Sequence, residues 1–343
     1  MITRRNFVIS LPAVTGATRI MAQQGKPFIR VRNINHMTLH VSDLKRSVAF
    51  YQGLFGMPIV NRQENSVGLR IGPGPQHLGL SVVGKNEKPV IDHFCMTTGD
   101  FNIERMLQVL AGHGVTKRDE GDDSSDARGT MKTWVRMRGE TPEFYLSDPD
   151  GIAVQIQDAS YCGGGGPLGN MCPPAEASPV KGLLAIRDLS HFTLSSQNAE
   201  RSRAFYRDVF GMAPLAYQGP AAPALGVGSS RQFIMAAAGG GVVGRALGAP
   251  QTANIGHGCF TMQDFNPDRV LKLLADYGIK PRGNATGAAP PLVSYVSIRM
   301  ENRGGAKGGT PELYFTDPDG ILLQIQDISY CGGAGPLGEV CQA

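Results

Sequence analysis

The chain has 343 residues, 41% of them hydrophobic and 18% charged, with a formal net charge of +4. That is enough chain for two domains of ordinary size and enough apolar content for proper cores. The small net charge, without a Lys/Arg run after residue 10, excludes a surface that tracks nucleic acid. No apolar stretch reaches the roughly 18 residues that span a bilayer.

The first element is not fold. Thr3-Arg4-Arg5-Asn6-Phe7, followed by a weakly apolar stretch to Ala22, resembles a twin-arginine export signal over residues 1–25, with Ala22 as the cleavage residue. It predicts a periplasmic or secreted protein. Next, Ile34–Val41 alternates as a strand does. Met37, Leu39 and Val41 face one way and His36, Thr38 and His40 the other. Ser42 is the expected cap of a helix on which Leu44, Val48, Tyr51 and Phe55 share one face, and Gly56 ends it. Short strands follow near Val67–Ile71 and Leu78–Val83. A second round opens with the strand Ile91–Thr97 and a helix near Phe101–His113. It closes on a hairpin, Glu143–Ser147 and Ala153–Asp158, around the turn Asp148-Pro149-Asp150-Gly151.

The chain then repeats itself in the same order. HMTLHVSDLKRSVAFYQGLFGM from His36 matches HFTLSSQNAERSRAFYRDVFGM from His191 at 11 of 22 positions. TPEFYLSDPDGIAVQIQD from Thr141 matches TPELYFTDPDGILLQIQD from Thr310 at 13 of 18. IDHFCMTTGDFN faces IGHGCFTMQDFN, and SYCGGGGPLGNMC faces SYCGGAGPLGEVC. Two modules, 29–172 and 182–343, are therefore expected, joined by the proline-bearing linker 173–181. Strands that alternate with helices but return as hairpins predict an α+β class.

A histidine on the first strand, an xSxAFYxxxFGM-like helix, a second histidine in a D-H-F strand and a terminal DPDG hairpin, all present twice, resemble the vicinal oxygen chelate family. Its members include glyoxalase I, extradiol dioxygenases and bleomycin-resistance proteins. The resemblance implies paired βαβββ motifs forming a cupped mixed sheet around a divalent metal. By motif its ligands are His36, His93 and Gln155 in module 1, and His191, His257 and Gln324 in module 2. Fe(II) is the implied metal, with Mn(II) or Zn(II) as alternatives. The family's usual last ligand is glutamate. Glutamine in that place brings no charge, and Glu143 or Glu312 is a candidate for a missing carboxylate.

Tyr145 and Tyr314 stand where the ring-cleaving members carry a substrate-binding tyrosine. The acid/base histidine of those enzymes has no counterpart within 114–142 or 275–312, which leaves His40 for that role in module 1. His77 and His113 receive no role. Of six cysteines, Cys162 with Cys172 and Cys331 with Cys341 enclose glycine-rich loops. In an exported chain they are expected to be disulfides, a zinc site being the alternative. Cys95 and Cys259 are expected to be buried thiols.

The first functional reading is a metal-dependent, dioxygenase-like enzyme acting on a small substrate with vicinal oxygens, as monomer or homodimer. A glyoxalase-like lyase or isomerase is the second reading, and a metal-free protein that sequesters a small ligand is the third. The export reading makes one prediction. Replacing Arg4 and Arg5 by Lys together should strand unprocessed precursor in the cytoplasm, as read by fractionation and blotting. An unchanged periplasmic yield removes the export signal.

Overall fold

The computed structural model describes residues 28–85, 87–119, 129–220, 222–238, 252–283 and 288–341. The expected export signal lies outside the described residues. Module 1 runs β1 (Val31–Val41), α1 (Leu44–Phe55), β2 (Ile59–Gln63), β3 (Ser66–Arg70), β4 (His77–Val82), β5 (Val90–Thr98), α2 (Ile103–Gly112), β6 (Thr116–Lys117), β7 (Lys132–Arg138), β8 (Thr141–Ser147) and β9 (Ala153–Asp158). Module 2 repeats this as β10 (Ile186–Ser196), α3 (Ala199–Phe210), β11 (Pro214–Tyr217), β12 (Pro223–Gly226), β13 (Phe233–Ala238), β14 (Asn254–Met262), α4 (Pro267–Asp276), β15 (Lys280–Pro281), β16 (Val293–Arg299), β17 (Thr310–Thr316) and β18 (Leu322–Asp327). Each module is one mixed nine-stranded sheet, β2-β3-β4-β1-β5-β9-β8-β7-β6 and its equivalent. The two-residue strand β6 is an addition to the expected paired βαβββ plan.

β1 lies at the centre because both its faces have work. Met37, Leu39 and Val41 are fully buried in the core, while His36, Thr38 and His40 line a cup on the opposite face. β4 runs parallel to it on one side and β5 antiparallel on the other. The cap of α1 is one residue later than expected. Asp43 Oδ1 accepts from Arg46 N at 2.9 Å, and Ser42 turns instead to Asp319 of module 2. Gly56, at φ 67°, closes the helix in the left-handed conformation that glycine tolerates.

The linker is not loose. Glu176 exchanges backbone hydrogen bonds with Ile59 on edge strand β2, and its carboxylate forms a bidentate pair with Arg62 at 2.8 and 2.7 Å.

The modules share one hydrophobic core and lock together reciprocally. Phe94 stacks on Phe192 at 4.8 Å between ring centroids, whereas the position equivalent to Phe94 is Gly258. A Cβ on Gly258 would meet Met37 Sδ at 2.6 Å, so the repeat diverges where the two copies press together. Gln76 accepts from Leu189 N and donates to Ile34 O, and Gln232 accepts from Ile34 N and donates to Leu189 O. Each DPDG turn also holds the helix of the other module. Asp148 Oδ1 accepts from Asp150 N and Ile152 N, leaving Oδ2 for the Tyr206 hydroxyl at 3.1 Å. Asp317 receives Tyr51 in the same way at 2.9 Å. Arg201 pairs with Asp150 and Arg46 with Asp319.

A buried carboxylate that loses a donor carries its desolvation uncompensated. Tyr206→Phe and Tyr51→Phe should therefore each destabilise the protein by about 1–3 kcal/mol in urea titration, within one cooperative transition. Loss of cooperativity in wild type, or no change in either variant, contradicts the interlock.

Candidate metal centre

The cup of module 1 is a cavity of about 440 Å³. Strand pairing brings its chemistry together. His36 pairs with His77 along β4, Thr38 with His93 along β5, and Tyr145 faces Gln155 across the β8–β9 hairpin. The rings of His36 and His93 meet edge to face at 5.6 Å, and His93 meets Tyr145 edge to face at 5.3 Å. His36, His93, Gln155, Tyr145 and His40 all line this one cavity.

The orientation of each imidazole is set by its neighbour. Asn35 Nδ2 donates to Tyr161 O at 3.0 Å, so Asn35 Oδ1 is the atom turned to His36 Nδ1, at 2.8 Å. That makes His36 Nδ1 the protonated nitrogen and leaves a lone pair on Nε2. Asp92 Oδ2 likewise accepts from His93 Nδ1 at 2.6 Å, and His93 Nε2 is buried with no partner. A carboxylate or amide on the far nitrogen is the usual support of a metal-ligating histidine. His36 Nε2 lies 3.0 Å from Gln155 Oε1, while Gln155 Nε2 has no partner.

Two acceptors this close, with a donor idle beside them, are reconciled either by a cation between them or by turning the Gln155 amide over. Two ligand atoms each about 2.0–2.2 Å from an ion, and at right angles about it, lie about 3 Å apart. The donor set therefore fits a divalent metal. Among the described residues no group of three His, Cys, Asp or Glu side chains could hold a metal ion, so an ion between His36 and His93 would need the Gln155 amide oxygen as a third donor.

Glu143 faces the cup but is engaged. Arg138 Nε and the Tyr161 hydroxyl reach Oε1 at 2.6 and 3.0 Å, and the Tyr145 hydroxyl donates to Oε2 at 3.2 Å. Glu312 is held the same way by fully buried Arg299, Tyr330 and Tyr314. Neither glutamate supplies a free carboxylate. Trp134 stacks on Tyr145 at 5.4 Å and forms an aromatic wall. His40 sits toward the rim, its Nε2 3.6 Å from Asp92 Oδ1 and its Nδ1 3.9 Å from Glu87 Oε2.

His77 was not legible as a site residue. It stacks on His36 at 4.4 Å and lines the cavity, and burial pushes it down to about 4. Only the parallel β1–β4 register places it there. His113 is the C-cap of α2 and does not line the cup.

Module 2 brings His191, His257 and Gln324 together but changes their support, leaving the Ser190 hydroxyl at 3.1 Å on His191 Nδ1 and no hydrogen-bond partner on His257. The rings of His191 and His257 meet at 5.5 Å, and Tyr314 meets His257 at 5.3 Å. Ser190 replaces Asn35, Gly256 replaces Asp92, Phe233 replaces His77 and Ser195 replaces His40. Both nitrogens of His257 are buried without a partner.

In the tails, Cys162 is bonded to Cys172 and Cys331 to Cys341, while Cys95 and Cys259 are buried free thiols that burial pushes well up.

The chain belongs to the Glyoxalase/Bleomycin resistance protein/Dioxygenase superfamily, whose family model matches residues 33–156 and 188–325. Among curated proteins it is similar to the glutathione transferase FosA of Serratia marcescens, at 26% identity over 133 residues, covering 38% of this chain and 83% of that protein. Among solved structures it is similar to a Mn(II)-bound glyoxalase from Novosphingobium aromaticivorans, with TM-score 0.57 and 16% identity, covering 87% of this chain and 82% of that one. It is also similar to BphC, a halotolerant catechol dioxygenase, with TM-score 0.58 and 11% identity, covering 89% and 87%. At these identities the structural likeness speaks to the fold.

The buried imidazoles give a pH prediction. Burial lowers His36, His77, His191 and His257, the second and last to about 4, from an ordinary value of 6.5. Between pH 6.5 and 4 the unfolded chain therefore binds more protons at these sites, and stability falls as the pH falls. Asp148 and Asp317, raised to about 6 mainly by burial, act in the opposite sense between about 6 and 4. Four imidazoles outweigh two carboxyls, so the melting temperature of metal-free protein should drop on acidification through this window. His77→Phe, which copies Phe233, should make the drop shallower. A flat profile contradicts the burial of these rings as neutral species.

Proposed function

We propose that module 1 is a divalent-metal centre that binds a small substrate through two neighbouring oxygen atoms. The observation that carries this reading is the pair of imidazoles lining one cup, each engaged at Nδ1, with His36 Nε2 3.0 Å from Gln155 Oε1 and His93 Nε2 buried without a hydrogen-bond partner. Bound there, the metal would act as a Lewis acid on the substrate oxygens. Because His36, His93 and Gln155 are all neutral, the set leaves the ion's charge uncompensated. It therefore favours a substrate that arrives with ionised oxygens, such as a catecholate or an enediolate.

The remaining residues then have definable tasks. Trp134 and Tyr145 form a flat wall on which a ring can lie. The Tyr145 hydroxyl, now on Glu143, can turn to a substrate oxygen. His40, beside Asp92 and close to solvent, is the group placed to accept or return a proton. Dioxygenase-like chemistry on an aromatic diol remains the first reading, with Fe(II) as the metal. A glyoxalase-like proton transfer uses the same residues and is the alternative. The two disulfides suit an oxidising compartment and support an extracytoplasmic location. We assign module 2 a lesser role, because its histidines lack the acceptors that fix them in module 1.

One observation favours a metal-free reading. Turning the Gln155 amide over would let its NH2 group donate to His36 Nε2 and satisfy both groups without an ion. Gln155→Glu separates the two. Beside a cation the new charge should tighten binding of Fe(II), Mn(II) or Zn(II) by an order of magnitude or more, since Coulomb attraction at contact is several kcal/mol even at a surface dielectric. His93→Ala should abolish binding at module 1. Titration with metal content by elemental analysis reads both. Weaker or unchanged binding in Gln155→Glu moves the assignment to a ligand-sequestering protein. Oxygen uptake with a catechol panel then tests the dioxygenase reading.

A further inference from the structure

The orientation of His36 traces back to the tail of its own module. Asn35 is fully buried and hydrogen-bonds on both sides, donating from Nδ2 to Tyr161 O at 3.0 Å and accepting at Oδ1 from His36 Nδ1 at 2.8 Å. An amide turned over in that place would set its oxygen against the Tyr161 carbonyl oxygen, whichever tautomer His36 adopts. The Tyr161 carbonyl thus decides which nitrogen of His36 carries the proton.

Tyr161 is itself part of the wall. Its ring lies 5.7 Å from that of His36, and its hydroxyl donates to Glu143. It adjoins Cys162, which opens the loop closed by Cys172. That loop carries Gly163, Gly164, Gly165, Gly166 and Gly169, and glycine loses more conformational freedom on ordering than any other residue. The covalent closure restricts the conformations open to the loop that begins at the next residue. The loop is tied back by Cys162 N to Gly169 O and by Thr141 Oγ1 to Gly166 O.

We propose that the disulfide-closed loop Cys162–Cys172 is a positioning element for the metal ligand His36. It acts through the Tyr161 carbonyl and the Asn35 amide to hold Nε2 toward the cup. The proposal rests on the metal reading of module 1. Module 2 supplies a natural control. Its tail is closed by Cys331–Cys341 in the same way, but Ser190 stands in place of Asn35. A hydroxyl at 3.1 Å from His191 Nδ1 can donate or accept, so it does not fix a tautomer.

The test uses the full chain with module 2 silenced by His257→Ala, then Asn35→Ala, Cys162→Ser with Cys172→Ser, and Cys331→Ser with Cys341→Ser. Two readouts are taken: Zn(II) affinity by competition with a chelating indicator, and the His36 tautomer in metal-free protein by nitrogen NMR. The first two variants should weaken Zn(II) by about 10–100-fold, the usual effect of losing a ligand's outer support. They should also turn His36 from pure Nδ1–H to a mixture. The Cys331/Cys341 pair should change neither. His93, held separately by Asp92, should keep its tautomer in every folded variant. If the Cys162/Cys172 variant does not fold, Asn35→Ala carries the test. His36 remaining Nδ1–H in Asn35→Ala, or unchanged Zn(II) affinity in a folded Cys162/Cys172 variant, overturns the proposal. Wild type that binds no Zn(II) removes the metal reading instead, and the tautomer in metal-free protein still decides this one.

Discussion

Everything in module 1 hangs on the alternation of β1. Because successive side chains of a strand point to opposite faces, three apolar residues commit one face to the core and three polar ones are carried to the other. A slip of one residue would bury His36 and His40 among apolar side chains and expose Met37 and Leu39. The same strand pairs with β4 and β5, so fixing its register also fixes the positions of His77 and His93. The cup is a consequence of one strand with two neighbours of opposite direction.

The parts legible in the sequence were those that local rules control. Alternation around His36, the helical face bearing Tyr51 and Phe55, the DPDG turn and the duplication all depend on residues near each other in the chain, and the family resemblance supplied the cupped sheet. What stayed hidden was non-local. Tyr51 read as a core residue of its helix, and it is buried, but its hydroxyl serves an aspartate in the other module. Glu143 read as a spare carboxylate, yet Arg138 and two tyrosines hold it, and those pairings form only once β7, β8 and the tail are assembled. His77 received no role, because only its pairing with His36 between β4 and β1 carries it to the cup. The shift of the helix cap from Ser42 to Asp43 has the same origin, since Ser42 is recruited across the module boundary.

The divergence of the two repeats follows their surroundings. At the mutual interface Phe94 stacks on Phe192, whereas a side chain at the equivalent Gly258 would run into Met37 and Phe192. At the cups, Asn35, His77 and Asp92 face Ser190, Phe233 and Gly256, although the histidines and glutamine themselves match. The turns that lock each module to the other are preserved in both. The differences in module 2 thus fall on the groups that orient its imidazoles, while its share of the interlock is intact.

The pinned linker has a consequence for how the molecule meets its neighbours. An edge strand such as β2 offers unpaired backbone groups that can recruit a foreign strand. Here the chain's own residues between the modules occupy part of that edge, and the Arg62–Glu176 pair places charge beside it. The segment that connects the two modules is thereby also a guard against sheet-to-sheet aggregation, at little energetic gain of its own, since an exposed ion pair contributes about 0–1 kcal/mol.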